Sequence, residues 1–151
     1  MDKHSNLERV WDIIESVGVC MLTTQAGGRL RARPVEPRPD RKSGLIFVVT
    51  DARSTKQEEI EAKPEVNLVC IDAKAKAYLS IAARACVTRD ICKIEQVWRL
   101  TDAVWWPGGA SDSNVCRCGS RRTWANCGMG RRARRWLFSN SRSLHLARTA
   151  R

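Results

Sequence analysis

The sequence predicts a mainly β fold of the α+β class, a closed or nearly closed barrel of antiparallel strands with capping helices. Hairpin-type links between successive strand-like runs, and the shortness of the helical stretches, favour this arrangement over a parallel α/β sheet. A chain of 151 residues also suits one domain with a real core better than two.

Leu7, Val10, Trp11, Ile14 and Val17 recur at helical spacing with Glu8, Arg9, Asp12 and Glu15 between them. The chain therefore opens with an amphipathic helix, which Gly18 is placed to end. Residues 19–24 and 29–35 read as strands joined through Gln25-Ala26-Gly27-Gly28, a link with the glycines that a tight hairpin uses. Pro34 cannot donate to a ladder, so the second strand has an edge or a bulge there. Residues 45–50 form a third strand after a polar turn. Ser54, followed by Lys56, Glu58 and Glu59, starts a short helix that Lys63-Pro64 stops. Residues 66–71 are a fourth strand. In the fifth, 78–87, Tyr78, Ser80, Ala82 and Arg84 alternate with Leu79, Ile81, Ala83 and Ala85. Ile91, Ile94, Val97 and Trp98 return to helical spacing ahead of Trp105-Trp106-Pro107-Gly108-Gly109.

The formal charge of +11 sits in one place. Residues 1–116 hold 17 Lys and Arg against 16 Asp and Glu, whereas residues 117–151 hold 10 Arg and no acidic residue. The basic character belongs to the tail, and the rest reads as a nearly neutral domain. The seven cysteines are an odd number without repeating spacing, and several lie in apolar runs such as Val19-Cys20-Met21-Leu22. They read as reduced thiols of a cytoplasmic protein. No window approaches the roughly 18 apolar residues that span a bilayer, so no membrane partner is expected.

Local patterns in a fixed order carry a family resemblance. Gly28-Arg29-Leu30-Arg31-Ala32-Arg33-Pro34-Val35 is similar to the G-R-L-R-S-R-P-M strand of general-stress flavoproteins, and residues 47–56 to their F-x-T-x-x-x-S-x-K element. Glu59-Ile60, Pro64-Glu65-Val66-Asn67-Leu68, Tyr78-Leu79-Ser80-Ile81 and the Trp-Trp-Pro-Gly-Gly run follow at the family's spacing. Over about residues 7–116 the chain resembles the general-stress branch of the pyridoxamine 5'-phosphate oxidase-like, FMN-binding split-barrel family. The resemblance implies a homodimer with FMN, or FAD in its place, at the subunit interface. It implies either flavin-dependent oxidoreductase activity or flavin binding without turnover, and it identifies no catalytic residue.

By the same resemblance Arg33, Pro34 and Val35 line the ribityl chain and ring, Val49 and Thr50 bond the ring edge, and Ser54, Thr55 and Lys56 hold the phosphate. Trp105 and Trp106 approach the isoalloxazine from the partner subunit. The chemistry suits a phosphate: a hydroxyl and amides at a helix N-terminus, a lysine point charge and an arginine fork are all anion donors. Thr55 stands where the oxidase relatives have Arg, which weakens one phosphate contact. Ala83 stands where the family usually has Gly, and its methyl crowds a strand crossing.

Taken singly, these residues have plainer readings. Ser54 serves as an N-cap, Lys56 as a solvated first-turn residue, Arg31 and Arg33 as a solvated strand face, and the paired Trp as core or dimer contact. His4 and His145 have no catalytic partner at a usable spacing, and no nucleophile or acid pair stands out. Cys116, Cys118, Cys127 and His145 match no common zinc spacing, so no metal is expected.

The tail has two readings. Ten Arg with Trp124 and Trp136 have the make-up of a nucleic-acid arm, the less favoured of the two. In the favoured reading the frame is broken near Cys116. The family continues with a strand and then G-E-L-W-D-G-P. Regrouping the codons of residues 124–131 by one position gives Gly, then Lys/Gln/Glu, Leu, Arg/Trp, Asp/Asn/His/Tyr and Gly, with Pro allowed next. On this reading residues 1–116 are the FMN-binding domain and the native C-terminal strands are lost. The barrel then has an unpaired edge, and residues 117–151 are poorly ordered apart from a short helix near 131–138.

Overall fold

The structure, a computed structural model, describes residues 3–129. The helices are α1 (Lys3–Ser16), α2 (Thr55–Ala62) and α3 (Ile91–Glu95). The strands are β1 (Cys20–Ala26), β2 (Arg29–Val35), β3 (Arg38–Asp40), β4 (Leu45–Asp51), β5 (Glu65–Asp72), β6 (Ala77–Thr88) and β7 (Val115–Met129). Two 3-10 helices, Leu100–Val104 and Gly109–Ser111, lie between α3 and β7. The described strands form one antiparallel sheet in the order β2-β1-β5-β6-β7-β4-β3.

Alternate residues of each strand turn inward, as the two-residue period requires. Leu22 of β1, Leu68 of β5, Ile81 of β6 and Ile46 and Val48 of β4 all belong to one buried cluster, although β1 and β4 lie far apart in the sheet order. A flat sheet cannot bring them together, so the sheet curls around its core. The edge strands β2 and β3 do not pair with each other, which leaves the barrel split, as the resemblance implied. α1 packs against β3, β5 and β6 and adds Val10, Trp11, Ile13 and Ile14 to the cluster. Each such burial contributes roughly 1.5–3 kcal/mol. On the outer side of α1, Arg41 from the β3–β4 turn donates to Glu8, Asp12 and Glu15 and fastens the helix.

Several local expectations hold. Gly27 and Gly28 take positive φ of 55° and 78°, the mirror-image turn that suits the twist of the β1–β2 hairpin. β2, with Pro34, is an edge strand. Gly18 follows α1 without entering the left-handed region, so it is not a left-handed cap. The third helical stretch divides into the five-residue α3 and a 3-10 helix. β3 escaped prediction because its three residues, with Pro39 at the centre, show no alternation.

β7 corrects the boundary expected at residue 116. Residues 117–129, expected to be poorly ordered, continue a strand that pairs with β6 as far as Met129 and with β4 as far as Arg121. The expected loss of pairing at this position does not occur. Ladder bonds need only backbone, and Cys118, Ser120 and Ala125 are small enough for inward positions, where all three are buried. Ala83 is also buried without displacing β6. The ladder slips between Ala82 and Ala83, so Thr123 of β7 is bulged beside the methyl. Residues 130–151, with the helix expected near 131–138, lie outside the described residues.

Candidate functional site

Seven of the ten residues expected at a flavin site line one cleft of about 490 Å³. Pro34 and Val35 come from the end of β2, Val49 and Thr50 from the end of β4, and Lys56 from the first turn of α2. Trp105 and Trp106, just beyond the Leu100–Val104 3-10 helix, form the facing wall of the same cleft within one chain. Arg33, Ser54 and Thr55 are not on its wall.

Where α2 begins, next to the cleft residue Lys56, the chain carries groups able to hold an anion. Ser54 has the extended backbone of an N-cap (φ −75°, ψ 142°), yet its hydroxyl makes no capping bond. That Oγ is buried and without a partner among the described residues, so the plain N-cap reading does not account for it. Lys56 is half-buried and its Nζ donates to Thr50 Oγ1 at 2.6 Å. Asp51, the carboxylate whose charge acts on Lys56, is already paired with Arg53 at 2.7 Å. Burial, and then the charge of Arg33, push the Lys56 ammonium below its ordinary pKa. Among the described residues, a cation without a carboxylate ion pair and a hydroxyl without a hydrogen-bond partner thus lie two positions apart at the start of α2. Thr55, the first residue of α2, is exposed.

Arg33 takes another direction. Its Nη2 donates to Glu59 Oε2 at 2.7 Å and its Nη1 to Thr24 Oγ1 at 3.1 Å. Glu59 also accepts from Arg31 at 2.9 Å and from the Thr24 hydroxyl. Burial alone raises the Glu59 pKa, but the Thr24 and Arg33 hydrogen bonds outweigh it and hold the carboxyl below its ordinary value. Arg33 thus acts on the cleft through its charge.

The Trp wall rests on residues that the sequence reading did not single out. Arg38 forks onto Asp102, Nη1 to Oδ2 at 2.7 Å and Nη2 to Oδ1 at 2.6 Å, with both side chains buried. The Arg99 amide donates to Asp102 Oδ2 at 2.8 Å. Burial opposes the Asp102 charge, but Arg38 and Arg99 win and keep its pKa low. The two partners are 64 residues apart, and no local pattern joins them.

Residues 5–119 match the family described as Pyridoxamine 5'-phosphate oxidase like. The chain belongs to that family. No protein of curated function matches it. Among solved structures it is similar to a Clostridium acetobutylicum protein related to general stress protein 26 of B. subtilis, with a TM-score of 0.78 at 16% identity over 93% of this chain and 97% of that one. It is also similar to the general stress FMN/FAD binding protein of Xanthomonas citri (TM-score 0.75, 18% identity, 94% and 99% covered). A third is a pyridoxamine 5'-phosphate oxidase-related, FMN binding protein of Nostoc punctiforme (TM-score 0.71, 17% identity, 92% and 91% covered). At these identities the structural likeness speaks for the fold.

Within this pyridoxamine 5'-phosphate oxidase-like chain the three carboxylates on the cleft wall are all engaged: Glu36 with Arg99, Asp51 with Arg53, and Asp102 with Arg38. A second cleft of about 780 Å³, lined by Lys42, Phe47, Trp98 and Arg117 among others, shares Arg38 with the first and contains none of the expected site residues. Among the described residues no group of three or more His, Cys, Asp or Glu side chains is arranged to hold a metal, and no helix is long and apolar enough to cross a membrane. The Cys127 side chain and His145 lie outside what is described.

Proposed function

We propose that the chain binds flavin mononucleotide in the 490 Å³ cleft, with the phosphate at Ser54 and Lys56 and the isoalloxazine between Pro34, Val35 and the Trp wall. The observation that carries this reading is the Ser54 hydroxyl, buried and without a partner among the described residues, two positions before the half-buried Lys56 at the N-terminus of α2. A dianion supplies both with the partner they lack, and aromatic and proline surface suits a flat ring. FAD shares the same flavin-proximal phosphate and fits the same donors.

Bound flavin supplies redox chemistry; the chain supplies position, charge and exclusion of water. Since each wall carboxylate is ion-paired, none stands free as a general acid or base. That favours flavin redox chemistry or binding without turnover over protein-driven acid–base catalysis. A homodimer is part of the reading. Leu100 and Val104, the ends of the 3-10 helix before the Trp wall, and Trp105 are 91%, 80% and 77% exposed, and Val19 on the cleft wall is exposed too. A second copy covering this apolar surface completes the cleft. The six free thiols among the described residues accord with a cytoplasmic setting.

The test is a pair of titrations of the full chain, with FMN and with riboflavin, which lacks the phosphate. Tighter binding of FMN supports the reading. Equal affinity removes the phosphate assignment, and no binding of either removes the flavin.

A further inference from the structure

We propose that Arg38 and Asp102 are positioning residues of the cleft: their buried ion pair fixes where Trp105 and Trp106 stand, and so how well the aromatic wall holds a ring. The inference rests on the flavin reading above. The Trp wall has limited packing of its own: Trp105 is largely exposed, and Trp106, partly buried, has its ring centroid 6.3 Å from that of Trp98. It follows a 3-10 helix, a structure with poorer hydrogen-bond geometry than an α-helix.

What holds the wall is Asp102. Its carbonyl oxygen accepts both the Trp105 and Trp106 amides, at 2.9 and 3.0 Å. Its carboxylate takes both arms of Arg38 and the Arg99 amide. Arg38 Nη1 also reaches the Val97 carbonyl at 2.7 Å, so one guanidinium ties both ends of the 97–102 segment. Arg38 is itself seated in the sheet, paired with Phe47 in the β3–β4 ladder. Fixed contacts therefore run from the barrel through Arg38 and Asp102 to the two indoles. A bidentate fork defines orientation as well as distance, which a lysine at the same place does not.

In the flavin reading the indoles face the ring and Lys56 faces the phosphate, so the two arms of the site have separable signatures. The full-length wild type, D102N and the milder R38K are titrated with FMN and with riboflavin, following flavin fluorescence, and their denaturant midpoints are recorded. Both variants are expected to lose about tenfold in affinity for FMN and riboflavin alike, the order of one aromatic stacking contact, together with part of the flavin quenching. The D102N loss is expected to vanish when Trp105 and Trp106 are already replaced by Ala. A lowered midpoint with unchanged affinity of the folded protein, or a loss confined to FMN, overturns the proposal. A wild type that binds neither flavin overturns the flavin reading itself, and this inference with it, before any variant is made.

Discussion

Lys56 Nζ and Thr50 Oγ1 lie 2.6 Å apart, so the half-buried ammonium at the start of α2 is held against the end of β4 by a neutral partner. A neutral hydroxyl does not cancel the charge. Lys56→Gln is therefore expected to weaken FMN binding about 10–100-fold, the range of a charge-assisted hydrogen bond, while leaving riboflavin binding unchanged. The phosphate needs the protonated lysine, whose pKa burial and Arg33 have lowered below the ordinary 10.5. The preference for FMN over riboflavin is accordingly lost as pH rises through that lowered value. Titrations at neutral and alkaline pH check both statements.

Glu59 gives the stability an acid limb. Its folded pKa is lowered from the ordinary 4.5 because the Thr24 and Arg33 hydrogen bonds outweigh burial. Its contribution is full above that ordinary value and is lost as pH falls below it, through the lowered folded value. Asp102 adds the same sign below 3.8. Glu59→Gln should flatten this limb and cost roughly 2–4 kcal/mol at neutral pH, because it leaves the partly buried Arg33 without its counter-charge. Urea unfolding at a series of pH values measures both.

Arg122 is a misfit in the barrel. It lies opposite the inward-facing, buried Ala83, with one guanidinium nitrogen buried and without a partner among the described residues and its charge over the Trp11 ring at 5.5 Å. Burial lowers its pKa. The cation–π contact recovers only part of the desolvation cost. Arg122→Met is expected to raise stability by about 1–2 kcal/mol. A lower unfolding midpoint in this variant contradicts the assignment.

β7 separates two truncations. A chain stopped at Cys116 loses the strand joining β6 to β4 and should not fold, whereas one stopped at Met129 keeps every described ladder and should. Circular dichroism with a cooperative melt distinguishes them.

The broken-frame reading of the tail is tested in the DNA. The family match ends at residue 119, in the stretch where acidic residues cease. If the frame is broken, resequencing finds an insertion or deletion near the codon for Cys116. A clean frame through residue 151 in close relatives sinks the reading.

Legibility followed local information. β4 was readable because Leu45–Asp51 is dense in strand-forming residues, and β2 because it follows β1 through the Gly27-Gly28 hairpin turn. β7 was hidden because Arg117, Arg121 and Arg122 dominate its composition, while its inward residues are Cys118 and Ser120 rather than aliphatics. In the site, Ser54 and Lys56 were legible as candidates because both fall at the start of one short helix. The Arg33–Glu59 and Arg38–Asp102 pairs, 26 and 64 residues apart, exist only once the barrel has closed. For the same reason the sequence assigned Arg33 to the cofactor, while the fold directs its fork to Glu59.

On the proposed reading, a flavin phosphate is held at the start of α2 by Ser54 and Lys56. The most direct measurement is the visible spectrum of the purified full-length protein, before and after FMN is added and unbound flavin removed. The account predicts a flavin spectrum that stays with the protein and is lost in Lys56→Gln. A protein that is folded by circular dichroism yet stays colourless after FMN is added contradicts it.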